Sequence, residues 1–273
     1  MNKNLMVTVS GGRSSAFMAR HIQTNPKYKD FEKIYVFANT GQERPETIKF
    51  LKNIVECWGI PLNIIEAVGS EKMGVGITYK VVDFDNISMN SEPFDEIIKH
   101  KNKGDFSGLP HSDAPYCSEN LKTIPCKKFC DNIFGVNNYI KAIGFRKEDM
   151  PKRISWAEIK EDKKRIFPLL TDFEQSISNR ELNDFYDINQ FKLTIHNKYG
   201  NCELCWKKSE KNIIENIILG ARTIDWWQKK EIEYNNTSFR NNKSINDYIK
   251  MSKLPQNLKL DFDDNSDGCV CNF

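Results

Sequence analysis

A serine- and glycine-rich turn near the start of the chain has the composition of an anion-binding loop. It follows a short apolar run at residues 5–9 and precedes apolar residues at helical spacing. A strand that turns through glycines into a helix presents backbone N–H groups at the positive end of the helix dipole. Glycines also let a phosphate approach the main chain, and hydroxyls and a guanidinium add donors. We therefore predict a nucleotide-binding loop made of Ser10, Gly11, Gly12, Arg13, Ser14 and Ser15.

Two later turns place polar residues and glycines directly after apolar runs. The first is Asn39-Thr40-Gly41, and the second begins Gly144-Phe145-Arg146 and continues to Arg153. Arginine offers phosphate a planar fork of donors, although residues 144–153 by themselves fit a solvated charged loop somewhat better. Because the carboxyl ends of parallel strands share one edge of a sheet, we expect the three turns to face the same ligand.

The cysteines form a second group of residues that could carry chemistry. Cys202-x-x-Cys205 has the spacing that lets two thiolates meet at one metal. Cys117, Cys269 and Cys271 can supply further soft ligands, and four such ligands fit either Zn²⁺ or a [4Fe–4S] cluster. Thiols that are reduced or redox-active without a metal are a third alternative. The other cysteines are expected to be structural: Cys57 in the core, Cys126 and Cys130 as semi-buried thiols near a helix start.

The hydrophobic pattern predicts the elements that position these residues. The first seventy residues alternate strand, helix, strand, helix, strand, which predicts an α/β fold with a parallel sheet and right-handed crossovers. Residues 70–115 look less regular, with loops predicted at residues 74–79 and 103–110, while residues 139–145 are predicted to form a fourth core strand. We expect an α/β domain over residues 1–200 and, packed on it, a mostly helical Cys-containing region over residues 201–273.

Composition limits the function classes. Hydrophobic residues make up 39% of the 273 residues, and a net charge of +3 is too small to argue for nucleic acid by itself. No run approaches the ~18 apolar residues of a membrane helix, and no export signal is visible, so we expect a cytoplasmic protein without a membrane partner. Trp206, Trp226 and Trp227 lie near lysines, a pattern more typical of packing than of base stacking. Nucleic acid stays open as a partner, as does self-association.

Taken together, five motifs resemble, in order, those of the phosphoadenosine phosphosulfate (PAPS) reductase-like family of the PP-loop, or adenine nucleotide alpha hydrolase, superfamily. Residues 10–15 resemble its Ser-Gly-Gly-x-x-Ser loop, and residues 37–47 resemble its Asp-Thr-Gly-x-x-x-x-Glu-Thr stretch. Residues 144–153 resemble its Gly-x-Arg-x-x-Glu segment with a following arginine. Residues 167–170 are similar to the segment before its substrate-side helix. Cys117-Ser118-Glu119 and Cys202-Glu203-Leu204-Cys205 are similar to the cysteine motifs of cluster-bearing members. The nearest likeness is to members from phages and mobile elements.

This resemblance implies a Rossmann-like (HUP-type) sheet and an adenine nucleotide, ATP or PAPS. Besides the loop, it assigns nucleotide contacts to Asn39, Thr40, Gly41, Glu43, Gly144, Arg146 and Arg153. It favours a [4Fe–4S] cluster over zinc at Cys117, Cys202, Cys205, Cys269 and Cys271. Cys269 and Cys271 occupy the region of the family's nucleophile, so they are either catalytic thiols or ligands.

The implied activity is that of an oxidoreductase or sulfurtransferase that uses PAPS or ATP, with a sulfur donor protein as a further candidate partner. Two alternatives stay open. One is an ATP pyrophosphatase that adenylates a nucleic acid or a small molecule, and the other is a non-catalytic module that senses a nucleotide or binds nucleic acid.

Overall fold

A six-stranded sheet organises the chain in the computed structural model, which describes residues 3–72, 74–103, 108–196, 199–235 and 238–254. The strands are β1 (Asn4–Thr8), β2 (Glu32–Asn39), β3 (Leu62–Gly69), β4 (Ile77–Val82), β5 (Ile140–Ala142) and β6 (Arg165–Ile166). They lie in the order β4-β3-β2-β1-β5-β6, and all neighbours are parallel except β3 and β4. The predicted α/β class, with a mostly parallel Rossmann-like sheet, is confirmed.

Helices flank this sheet on both faces. They are α1 (Arg13–Thr24), α2 (Pro45–Trp58), α3 (Glu92–Lys101), α4 (Tyr116–Ser118), α5 (Ile124–Phe134), α6 (Trp156–Glu161), α7 (Pro168–Thr171), α8 (Asn179–Ile188), α9 (Glu210–Ile218), α10 (Ile224–Glu233) and α11 (Ile245–Ser252). A π-helical stretch, Glu119–Thr123, joins α4 to α5, and 3-10 turns occupy Pro26–Tyr28 and Lys147–Asp149. None of the helices among the described residues combines the length and the hydrophobicity that a membrane span requires.

The sheet reverses its strand order at β1. Strands β2 and β3 lie on one side of β1, whereas β5 and β6 lie on the other. The chain therefore leaves β1 in opposite directions, and a crevice opens at the carboxyl ends of β1 and β5. In open α/β sheets, ligands bind at such a switch point.

One predicted loop region is in fact regular. β4 forms an antiparallel edge strand that begins within residues 74–79, which were predicted to be a loop, and α3, for which no prediction was made, packs on β3. The strand was missed because an edge strand buries little: Ile77 is buried, but Val81 is exposed. The helix did carry a signal, since Phe94, Ile97 and Ile98 recur at the spacing of one helical face.

The C-terminal helices pack on α3. Ile213 and Ile217 of α9 and Tyr248 of α11 share a buried cluster with Phe94 and Ile97. Trp227 lies in the same cluster at 2% exposure, and Trp226 packs against its edge. The structure therefore shows both tryptophans as packing residues.

Candidate functional site

The loop of residues 10–15 is held closed by its own serines. The backbone N–H of Ser10 donates to the hydroxyl of Ser15 (3.0 Å), and the two hydroxyls are also 3.0 Å apart. The Ser15 hydroxyl lies 3.0 Å from the carbonyl of Gly12, to which it donates. These bonds turn the chain directly from β1 into α1. The first-turn N–H groups of a helix have no carbonyl partner inside the helix. The start of α1 therefore presents N–H donors at the switch point of the sheet.

Gly11 is required where the loop meets α2. Its φ of +78° lies in the left-handed region, and a Cβ there would stand 2.5 Å from Cγ2 of Thr47. Thr47 is fully buried in the first turn of α2. A side chain at position 11 would therefore push the loop away from its support.

The turn after β5 packs directly on this loop. A Cβ on Gly144 would lie 3.2 Å from Cα of Ser15 and 3.3 Å from the carbonyl oxygen of Ser14. Lower in the crevice, the hydroxyl of Thr8 donates to the carbonyl of Ala142 (2.9 Å). The structure thus brings together two of the three predicted turns, although 134 residues separate Thr8 from Ala142.

Two arginines, one from each turn, bind α8 one helical turn apart. Nη1 of Arg13 donates to Oδ1 of Asn183 (2.7 Å), and the guanidinium of Arg146 contacts Asp149 (3.2 Å) and Asn179. Burial lowers the pKa of Arg13, and the positive charge of Arg146 lowers it further. Like charges held together at a helix N-terminus favour a bound anion.

Arg153 binds the same carboxylate as Arg146. Its Nη1 lies 3.1 Å from Oδ1 of Asp149, the buried carboxylate that also holds Arg146. Its guanidinium lies over the ring of Phe145, 5.7 Å from the centroid. The two arginines predicted to contact phosphate, Arg146 and Arg153, are therefore held by one carboxylate, that of Asp149.

The turn after β2 is buried. Asn39, Thr40 and Glu43 are each at most 1% exposed. Asn39 donates to Glu66 (2.6 Å), and Thr40 donates to Glu43 through both its N–H (3.0 Å) and its hydroxyl (2.9 Å). Burial raises the pKa of Glu43, against the influence of Lys122, whose Nζ lies 4.0 Å away. The side chains of this predicted nucleotide-binding turn thus form an internal network at the same sheet edge.

Gly41 belongs to the same buried turn. Its φ is +77°, and a Cβ there would lie 2.9 Å from the backbone of Ser91. Its carbonyl accepts a hydrogen bond from the N–H of Ser91 (3.1 Å). The glycine therefore lets the chain before α3 close over the turn.

Three of the predicted metal ligands line one cavity. Cys117, Cys202 and Cys205 surround a space of ≈ 20 Å³ with Thr40 and Lys122, close to the room that one water needs. The sulfur of Cys202 lies 3.4 Å from the hydroxyl of Thr40. Soft thiol donors suit zinc or an iron–sulfur cluster. Within the described ranges, however, no three His, Cys, Asp or Glu side chains are grouped closely enough to hold a metal ion. Cys269 and Cys271 lie outside the described residues.

The remaining cysteines divide between surface and core. Cys57 is exposed, so its prediction as a core residue was wrong: the buried face of α2 is formed by Ile54 and Trp58, and Cys57 lies between them on the outward side. Cys126 and Cys130 are fully buried beneath the sheet, more deeply than predicted. Burial raises the pKa of the Cys130 thiol to about 12, so this thiol is protonated at neutral pH.

The contacts of α8 were not predicted, although the resemblance of residues 167–170 implied that a substrate-side helix follows them. Asn179 and Asn183 hold the two arginines, and the hydroxyl of Tyr186 donates to the carbonyl of Arg13 (2.9 Å). A local signal for the start of this helix was the capping box formed by Ser178 and Glu181.

Comparison with known proteins gives one relative. No family model matches the chain. The uncharacterised nin region protein ORF290 of Escherichia phage lambda is 31% identical over 212 residues, which cover 76% of this chain and 67% of that protein. The name of this relative states no activity, so any assignment of function depends on the residues themselves.

Proposed function

The chain belongs to the family of the phage lambda nin region protein ORF290, and we propose that it is an adenine-nucleotide-dependent enzyme of sulfur transfer or reduction. In this proposal the phosphates of ATP or PAPS lie at the loop of residues 10–15. The choice of an adenine nucleotide rests on the resemblance of the motifs to PAPS reductase-like proteins.

The observation that carries the nucleotide site is the junction of two turns at the switch point of the sheet. Gly144 packs so closely on the loop that a Cβ there would lie 3.2 Å from Cα of Ser15, and Arg13 and Arg146 bind α8 one turn apart, at Asn183 and Asn179. N–H groups at the start of α1 and two guanidinium groups are the donors that a polyphosphate needs. Their meeting at the carboxyl ends of β1 and β5 matches the general position of ligands in such sheets.

Calorimetric titration tests the nucleotide site. We expect ATP or PAPS to bind, GTP to bind more weakly, and Arg146→Ala to weaken binding about 10-fold or more, because it removes charge-assisted hydrogen bonds. Arg180→Ala is the matched control, since Arg180 is exposed on the neighbouring α8. Equal affinity of the wild type and Arg146→Ala, or no binding of any adenine nucleotide at millimolar concentration, would refute the site.

The sulfur chemistry draws its support from the thiols. Cys117, Cys202 and Cys205 line a cavity that Thr40 connects to the turn after β2. Release of sulfite from PAPS in the presence of a thiol reductant is the expected activity. Pyrophosphate release from ATP with a candidate acceptor would instead identify an adenylating enzyme. Nucleotide binding without either product would identify a sensing module.

A metal centre at these thiols is part of the same proposal. We assign its ligands to Cys117, Cys202 and Cys205, with Cys269 and Cys271 as the remaining candidates, and favour [4Fe–4S] over zinc. Such a group would supply soft-ligand or redox chemistry beside the nucleotide. Iron and zinc analysis of anaerobically purified protein tests it: Cys205→Ser should lose the metal, whereas Cys57→Ser, at an exposed thiol, should retain it. Metal-free wild-type protein would exclude the centre.

A further inference from the structure

Helix α8 contacts both turns of the proposed nucleotide site. Nη1 of Arg13, in the loop after β1, donates to Oδ1 of Asn183 (2.7 Å), and Nη1 of Arg146, in the turn after β5, donates to Oδ1 of Asn179. Each turn thus extends one guanidinium to one amide of the same helix. Besides burial, the positive charge of Arg146 lowers the pKa of Arg13, because the two guanidinium groups are near each other.

The position of α8 is fixed by further contacts with the core and with both turns. The N–H of Asn179 donates to Oε1 of Glu148 (2.8 Å), in the turn after β5. At the other turn, the hydroxyl of Tyr186 donates to the carbonyl of Arg13 (2.9 Å). Leu182 and Tyr186, which are one helical turn apart, are each at most 1% exposed and lie in the main core cluster. The helix therefore presents its amides to the two turns at fixed positions.

The spacing of the two amides sets the spacing of the two arginines. Asn179 and Asn183 are four residues apart and so lie on one face of α8. Side chains at this spacing are neighbours, with about 5–6 Å between their Cβ atoms. The two guanidinium groups are thus held side by side, about one helical turn apart. Because a guanidinium binds one phosphate through a planar fork of donors, such a pair suits two linked anionic groups better than one.

The chemistry of the two amides suits this role. An amide oxygen takes one of the five N–H donors of a guanidinium and carries no charge, so it orients the group without neutralising it. A carboxylate at the same place would add a negative charge beside the phosphates. Asn183 is exposed and Asn179 is half-buried, so neither amide belongs to the hydrophobic core.

We infer that Asn179 and Asn183 are positioning residues that set the spacing of Arg146 and Arg13, and that this spacing selects nucleotides with two linked anionic groups over monophosphates. The shared chemistry is that of a diphosphate or a phosphosulfate, in which one oxygen joins the two groups. The inference rests on the proposed nucleotide site, because it takes the phosphates to lie at the loop of residues 10–15.

Calorimetric titration with three adenosine nucleotides tests the selection. The wild type is titrated, at constant ionic strength and without added magnesium, with AMP, with ADP and with adenylyl sulfate, the corresponding phosphosulfate. We expect ADP or adenylyl sulfate to bind at least ~10-fold more tightly than AMP, which offers one anionic group to the two arginines. The tighter of these two ligands identifies whether phosphate or sulfate is the second group.

Variants of one amide separate positioning from stability. Asn183→Ala should reduce the preference for the tighter ligand over AMP by ~3-fold or more, because Arg13 is no longer held beside Arg146. Asn183→Asp should weaken binding of that ligand by ~10-fold or more, since a carboxylate pairs with the guanidinium and repels the anion. The melting temperature of both variants should stay within ~1–2 °C of the wild type, because the position is exposed.

The matched control is Gln175→Ala, which removes an exposed amide just before α8 and should leave the preference intact. Equal binding of AMP, ADP and adenylyl sulfate by the wild type, or an unaltered preference in Asn183→Ala, would overturn the inference while leaving the nucleotide site in place. If none of the three ligands binds, the nucleotide site itself is refuted, and the inference with it.

Discussion

Glu231 makes the stability of the C-terminal helices depend on pH. The residue lies on α10 at 5% exposure, and one of its carboxylate oxygens accepts a hydrogen bond from the N–H of Ile245 (2.9 Å), at the start of α11. The other oxygen is buried without a partner in the described residues. Burial, with a smaller contribution from the negative charge of Asp247, raises the pKa of Glu231 to about 7.

The raised pKa fixes the sign and the size of the effect. In the unfolded chain a glutamate titrates near pH ~4.3, so between that pH and about 7 the folded state holds a proton that the unfolded state has lost. The contribution to the free energy of unfolding is fully present below about pH 4 and is lost as the pH rises through 7. Each pKa unit corresponds to ~1.4 kcal/mol, so the loss at pH 8 is about 4 kcal/mol.

Thermal unfolding of Glu231→Gln measures this loss. A neutral glutamine keeps the acceptor for Ile245 but has an amide N–H₂ to satisfy, so we expect a net gain of about 2 kcal/mol at pH 8. For a chain of this size the melting temperature should rise by ~4–8 °C at pH 8 and change little at pH 5. Glu233→Gln, at an exposed ion pair on the same helix, should change it by no more than ~1–2 °C at either pH. A wild-type melting temperature that is equal at pH 5 and pH 8, with no gain in Glu231→Gln, would show that ionised Glu231 does not destabilise the fold at pH 8.

Three further predictions concern the loop and its surroundings. Although burial opposes it, hydrogen bonds from His21, Lys27 and Tyr28 hold the pKa of Asp172 well below its ordinary range. Asp172→Asn should therefore cost about 2 kcal/mol at pH 7 and much less near pH 2, in denaturant titrations. Gly11→Ala should destabilise by ~1–3 kcal/mol and abolish nucleotide binding, and adding Thr47→Ser should recover only part of the stability, since the strained φ persists. Arg222 binds the carbonyls of Met89 and Glu43 and the carboxylate of Glu203, so Arg222→Ala should increase proteolysis around residues 199–210, whereas an unchanged digestion pattern would contradict this role.

Elements with local signals were predictable from the sequence. Helix α2 begins at Pro45 and ends before Gly59, whose φ of +65° only glycine adopts readily, as its sequence indicates. The central strands were visible because most of their residues are buried on both faces and form apolar runs, Leu5–Val7 in β1 and Ile34–Ala38 in β2. Strand β4 was not predictable from its composition, because its side chains are half-exposed and its stability comes from pairing with β3.

The candidate site was predictable only in part, since its residues meet through tertiary contacts. The order of the turns along one sheet edge follows from the βαβ pattern, and the contact of Gly144 with Ser14 and Ser15 agrees with it. Nothing local in the sequence indicates that Asn183 would hold Arg13, or that Thr40 would be buried against Cys202. Such partners depend on how α8 and the cysteine segment fold back over the sheet.

The pairing of β1 with β5 has a consequence for the timing of synthesis. The crevice needs strands that are more than 130 residues apart in the chain, since Thr8 reaches Ala142 across 134 positions. At ~5–20 residues per second, a ribosome synthesises β5 on the order of 10 s after β1. The glycine loop is thus exposed on the nascent chain well before its partner exists. Nucleotide binding should begin only after β5 has emerged, which makes it a reporter of the late steps of folding.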